Sequence, residues 1–166
     1  MHLDRREIAD LIVETLSRGE NAARQEFRAC NRIPSFALDD LLPAETAASI
    51  YRAFPPTSEL VLKKTLGQLK YVGYQMSRYN PLLEEVIYAF QEERVIELIS
   101  RITGIAQLLP DEHLYAGGVS LMAQDHYLNP HLDNSHDIGR ANYRVLNLLY
   151  YLDYARRLTR HCPAEA

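Results

Sequence analysis

Apolar positions in the opening stretch, LDRREIADLIVETLSRG, recur with a helical period. Ile8, Leu11, Ile12, Thr15 and Leu16 fall at i, i+3, i+4, i+7 and i+8, which gives a helix with one largely apolar face. Asp4 stands at the N-cap position and Glu7 follows three residues later, the spacing of a capping box. Gly19 is a fitting stop for this helix, and a second short helix is expected over 20–29. Arg32 to Leu38 alternates like a strand, with Pro34 favouring a sheet edge. Pro43 suits the first turn of a helix carried by Ala44 to Phe54, and Pro55 and Pro56 end it.

The stretch VLKKTLGQLKYVGYQMSRY has mixed periodicity and two glycines, so residues 57–79 are expected to form short strands and loops. From Pro81 to about Thr103 the pattern predicts one long helix. Leu82, Val86, Phe90, Val95, Leu98 and Ile99 lie roughly on one side of it, and Gly104 stops it. Glu84, Glu85, Glu92, Glu93 and Arg94 read as its solvated side. Beyond residue 110 the character changes. HLYAGGVSLMAQDHYLNPHLDNSHD and NYRVLNLLYYLD are rich in β-branched, Leu and Tyr residues and read as strands separated by polar turns. Helices first and strands later make an α+β arrangement. The last stretch, YARRLTRHCPAEA, has neither pattern and reads as an atypical tail over 154–166.

Composition narrows the choice of chemistry. A length of 166 residues suits one domain with a real core. A net charge of -4 argues against a protein built to coat nucleic acid. No run approaches the roughly eighteen apolar residues of a membrane span, and MHLDRREIAD lacks the apolar core of a signal peptide. The expected location is the cytoplasm, with no membrane partner. Cys30 and Cys162 are far apart and form no CxxC, so any bound metal must be held by His and carboxylate.

The stretch NPHLDNSHD, residues 129–137, supplies those groups. At i and i+2 on a strand, His131 and Asp133 point to the same face and can share one ion. With a third ligand they form the 2-His-1-carboxylate triad of non-haem iron oxygenases. On its spacing alone, HxD is usually a solvated polar loop. Ten residues on, YRVLNLLYYLD places Tyr143, Val145, Asn147, Leu149 and Tyr151 on one face. Asn147 and Tyr151 are polar groups suited either to a small acid inside a barrel or to ordinary hydrogen bonding. Ser135-His136-Asp137 holds the residue types of a hydrolase triad, but adjacency does not make one. Gly117-Gly118 lacks the phosphate-loop pattern.

NPHLDNSHD followed by YRVLNLLYYL resembles the HxD segment and next strand of the Fe(II)/2-oxoglutarate-dependent dioxygenases, in particular the prolyl-4-hydroxylase-like branch. RIPSFALDDLLPAETAASIYRAFP is similar to that family's entry, an edge strand followed by a helix. The resemblance covers roughly residues 30 to 153. It implies helices packed on a partial double-stranded β-helix, or jelly roll. The expected layout is one oxygenase-like domain over 1–153, with a helical part over 1–110 and the start of a β-barrel over 111–153. It implies Fe(II) held by His131 and Asp133, 2-oxoglutarate as co-substrate near Tyr151, and hydroxylation of a small-molecule or peptide substrate; Asn147 joins Tyr151 as a candidate co-substrate group through its place on the same face. The family's distal His and its Arg lie on later strands after a Gly-Gly turn, whereas no Gly follows Gly139 here. The chain is therefore expected to be the N-terminal part of such an enzyme, ended early. His126, His136 or His161 is then the available third ligand, or the chain is an inactive remnant or non-catalytic interaction domain. Strand edges left open by a partial barrel favour self-association.

Overall fold

A computed structural model of the chain describes residues 3–29, 32–115 and 117–152. The chain is an α+β protein. Helices α1 (Arg5–Ala29), α2 (Ala44–Arg52), α3 (Pro81–Ala89) and α4 (Glu93–Thr103) accompany strands β1 (Val61–Lys64), β2 (Gln68–Gly73), β3 (Val119–Leu121) and β4 (Tyr127–Leu128). Among the described residues, no helix is long and apolar enough to cross a membrane.

The capping box expected at Asp4 is formed. Asp4 Oδ1 accepts from the backbone N–H groups of Arg6 and Glu7, each at 2.9 Å, and Glu7 Oε2 accepts from Asp4 N at 3.0 Å. From there α1 runs unbroken through Gly19, so the expected stop and second helix are one element. Gly19 serves a close approach instead: a Cβ there would stand 3.0 Å from Leu38 Cδ1. Ile8, Ile12 and Leu16 of the apolar face are buried, as their spacing requires.

The long helix expected over 81–103 is two helices. Glu92 adopts an extended conformation (φ -61°, ψ 139°) and restarts the chain into α4. The core requires this break. Val86 and Val95 are both buried, yet nine residues of continuous helix would turn them about 180° apart. Breaking the helix brings Leu83, Val86 and Ala89 of α3 and Val95, Leu98 and Ile102 of α4 into one apolar cluster with α1. Arg5 bonds the Glu85 carboxylate (Nη2 to Oε1 3.0 Å) and tethers α1 to α3. Arg94 bonds the Asp10 carboxylate and the Arg6 carbonyl, tethering α4 to α1. Asn80 caps α3 ahead of Pro81, and Gly104 at φ +76° closes α4 in the left-handed conformation, as its position suggested.

The strands form one four-stranded antiparallel sheet in the order β1-β2-β3, with β4 also paired to β2. β3 and β4 lie along the same strand in succession, with Tyr71 opposite Leu121 and Gln68 opposite Leu128. A Cβ on Gly118 (φ +140°) would stand 2.4 Å from the Gly73 carbonyl oxygen, so Gly117-Gly118 lets β3 approach β2. Two expected strands are not ladder elements. Residues 32–38 form no strand among the described residues, although Phe36 and Leu38 pack on the core. Among the described residues, residues 143–152 have no ladder pairing beyond a single bridge, Tyr143 to His136, because no further strand lies beside them. The expected tail over 154–166 lies outside the described residues.

Candidate metal centre

The hairpin between β1 and β2 sets the position of the HxD segment. Its turn closes with Thr65 N donating to Gln68 O at 2.9 Å. The chain leaving β4 is clamped to that turn from two residues: Tyr127 OH donates to Thr65 O at 2.8 Å, and Asn129 N donates to Gly67 O at 2.8 Å. The Asn129 side chain adds a bond to Leu66 O at 3.3 Å. Pro130 follows, and His131 and Asp133 therefore leave an anchored end of the sheet.

His131 and Asp133 are brought together. His131 Nε2 stands 3.4 Å from Asp133 Oδ1, with both side chains about half exposed (48% and 42%). His131 Nδ1 lies 2.8 Å from the Asn129 carbonyl oxygen. A carbonyl only accepts, so Nδ1 carries a proton, and Nε2 is the ring nitrogen that faces Asp133. The other carboxylate oxygen, Asp133 Oδ2, accepts from the Asn147 amide at 2.8 Å. Asn147 in turn lies 3.5 Å from Arg144 Nη2. Each of the two donor groups is thus oriented through the atom it does not present, the arrangement that supports metal ligands. Two such donors on one ion at about 2.1 Å stand about 3.0–3.4 Å apart, so the observed separation fits a shared ion.

Of the residues singled out in the sequence, His131, Asp133 and Asn147 form this cluster. Tyr151 is on the same face of the segment as Asn147 but makes no hydrogen bond among the described residues. Asn129, which fixes the His131 tautomer, has no signal in the sequence beyond adjacency to Pro130. His136 and Asp137 build the following turn. His136 Nδ1 pairs with Ser135 Oγ at 2.8 Å, and its ring lies 4.4 Å from that of Tyr143. Asp137 accepts from the Asn142 amide and from Ala141 N, each at 2.8 Å. The Asn142 bond above all, with backbone N–H groups, holds the Asp137 carboxyl below the usual carboxylate range. The His126 ring lies 5.4 Å from that of Tyr71. Among the described residues, no group of three or more His, Cys, Asp or Glu side chains gathers to hold a metal ion. His161 lies outside the described residues.

Comparison with known proteins found no family model, no curated protein and no solved structure that matches this chain.

Proposed function

We propose that the chain carries the iron-binding half of an Fe(II)- and 2-oxoglutarate-dependent oxygenase, with His131 and Asp133 as two ligands. The observation that carries this reading is the doubly oriented pair. The His131 tautomer is fixed by Asn129 O, and the Asp133 rotamer is fixed by the Asn147 amide, with Nε2 and Oδ1 left facing each other at 3.4 Å. A solvated turn has no need to orient both groups. In this reading the sheet and the segment 143–152 are the opening strands of a jelly roll, and a third donor completes the set.

Iron with 2-oxoglutarate and oxygen supplies C–H hydroxylation, yielding succinate and carbon dioxide beside the hydroxylated product. The residues of this chain hold and orient. Asn129 keeps the proton on Nδ1, so His131 binds through Nε2. Asn147 keeps Asp133 Oδ2 occupied, so the carboxylate presents Oδ1 alone. Tyr151 offers a hydroxyl to the co-substrate from the same face as Asn147. The substrate is a small molecule or a peptide.

The test is succinate formation from 2-oxoglutarate with Fe(II) under oxygen. Succinate above the level given by His131→Ala supports the reading, and equal levels overturn it. A second reading, a non-catalytic interaction domain, is favoured by the exposed apolar residues Tyr143, Val145, Leu149 and Tyr151.

A further inference from the structure

The segment 143–152 has two unlike faces and two unlike edges. Exposure alternates along it: Tyr143, Val145, Asn147, Leu149 and Tyr151 are exposed, while Arg144, Leu146, Tyr150 and Leu152 are half-buried and only Leu148 breaks the period. The even face packs inward, with Tyr150 5.7 Å from the Phe90 ring and both Tyr150 and Leu152 against the core. The alternation marks an extended chain.

One edge is partly used. Asp137 N donates to Asn142 O at 3.1 Å, and Arg144 N donates to Ser135 O at 2.9 Å. In an antiparallel ladder each residue directs its N–H and C=O to one side, and neighbours alternate. Even-numbered residues therefore face the 135–137 side, and the groups of 143, 145, 147, 149 and 151 face the other. No backbone hydrogen bond reaches residues 145–152 among the described residues. Such an edge is a template for another strand.

The sequence of this edge matches itself in reverse. About Asn147, an antiparallel copy sets Tyr143 opposite Tyr151 and Val145 opposite Leu149 on the exposed face, with Leu146 opposite Leu148 and Arg144 opposite Tyr150 on the other. Apart from Asn147 opposite itself on the axis, every facing pair is aromatic, aliphatic or cation on ring. The odd-numbered residues become the hydrogen-bonded pairs, each exchanging two bonds. We infer that the odd edge of residues 143–151 is a homodimer interface, on which a second copy pairs antiparallel about a two-fold axis at Asn147. This is an isologous contact, which closes after two copies.

The area is enough for a dimer of moderate strength. Tyr143 is 74% exposed and Tyr151 61%, so the two rings offer about 250 Å² per copy. With Val145, Leu149 and the main chain the strand pair reaches roughly 500 Å² per copy, against about 800 Å² in a standard interface.

Sedimentation velocity on the full chain from about 1 to 100 μM tests this, with monomer giving way to dimer across the range. Leu149→Pro removes an N–H that has no partner among the described residues and raises the dissociation constant about tenfold or more, with circular dichroism unchanged. In a Cys30→Ser/Cys162→Ser background, Val145→Cys/Leu149→Cys forms an intermolecular disulfide on mild oxidation, because the two positions face each other across the axis. Val145→Cys/Leu148→Cys does not. A monomer at every concentration, as when later residues of the same chain occupy the edge, overturns the inference. So does a dimer indifferent to Leu149→Pro, or equal crosslinking of the two cysteine pairs.

Discussion

The Asn147 side-chain amide donates to Asp133 Oδ2 at 2.8 Å, across fourteen positions of sequence. That bond joins the HxD turn to the strand-like segment after it. In the proposed metal site that bond makes Asn147 a positioning residue for the carboxylate. Asn147→Ala is expected to weaken binding of Mn(II), a stand-in for Fe(II), about 10- to 100-fold. Asn147→Asp adds a charge without the donor and should not restore it. Titration calorimetry of the two variants against the parent checks this. Unfolding midpoints should stay close to the parent value, since the pair is exposed.

The break between α3 and α4 predicts where the core is least forgiving. Leu98 and Val95 are fully buried where the re-phased helix meets α1. Leu98→Ala should cost about 2–5 kcal/mol in urea unfolding. Glu97→Ala, on the same helix but outside the buried set, should lie within about 0.5 kcal/mol of the parent.

Asp4 caps α1 with two backbone bonds. Asp4→Ala should lower stability by about 0.5–2 kcal/mol, and Asp4→Asn or Asp4→Ser should recover most of it. Thermal melts of the three variants give the order.

Glu85 carries a pH signature. The Arg5 side chain bonds its carboxylate and holds its pKa below the ordinary 4.5, with burial opposing. A lowered pKa in the folded state stabilises the fold above the unfolded value and loses that stabilisation as pH falls through the folded one. Arg5 is 43% exposed at the ion pair, so solvent screening limits the gain to about 0.2–1 kcal/mol. The stability gap between the parent and Glu85→Gln should therefore be present at pH 7 and close towards pH 2, as denaturant unfolding at the two pH values would show.

Local signals in the sequence were read well where the chain itself supplies the cause. The Asp4 and Glu7 capping box, the buried Ile8, Ile12 and Leu16, and the left-handed Gly104 all depend on neighbours within a few positions. Features set by distant contacts were not legible. Gly19 looks like a helix stop, yet its missing side chain makes room for Leu38. Val86 and Val95 fall about 180° apart on one continuous helix, so sharing a core demanded a break. Residues 32–38 and 143–152 alternate as strands do, but a ladder also needs a neighbour, which a period of two cannot reveal. In the site, His131 and Asp133 were visible from spacing and Asn147 from its register. Asn129 was not, because its carbonyl acts and every residue has one.

In the proposed reading, His131 Nε2 and Asp133 Oδ1 form one half of an iron site that takes 2-oxoglutarate. Anaerobic addition of Fe(II) and 2-oxoglutarate, followed by visible absorption, addresses it most directly. The expected result is a weak charge-transfer band that is absent from His131→Ala and diminished in Asn147→Ala. Spectra of the parent and His131→Ala that are indistinguishable at saturating Fe(II) would contradict it.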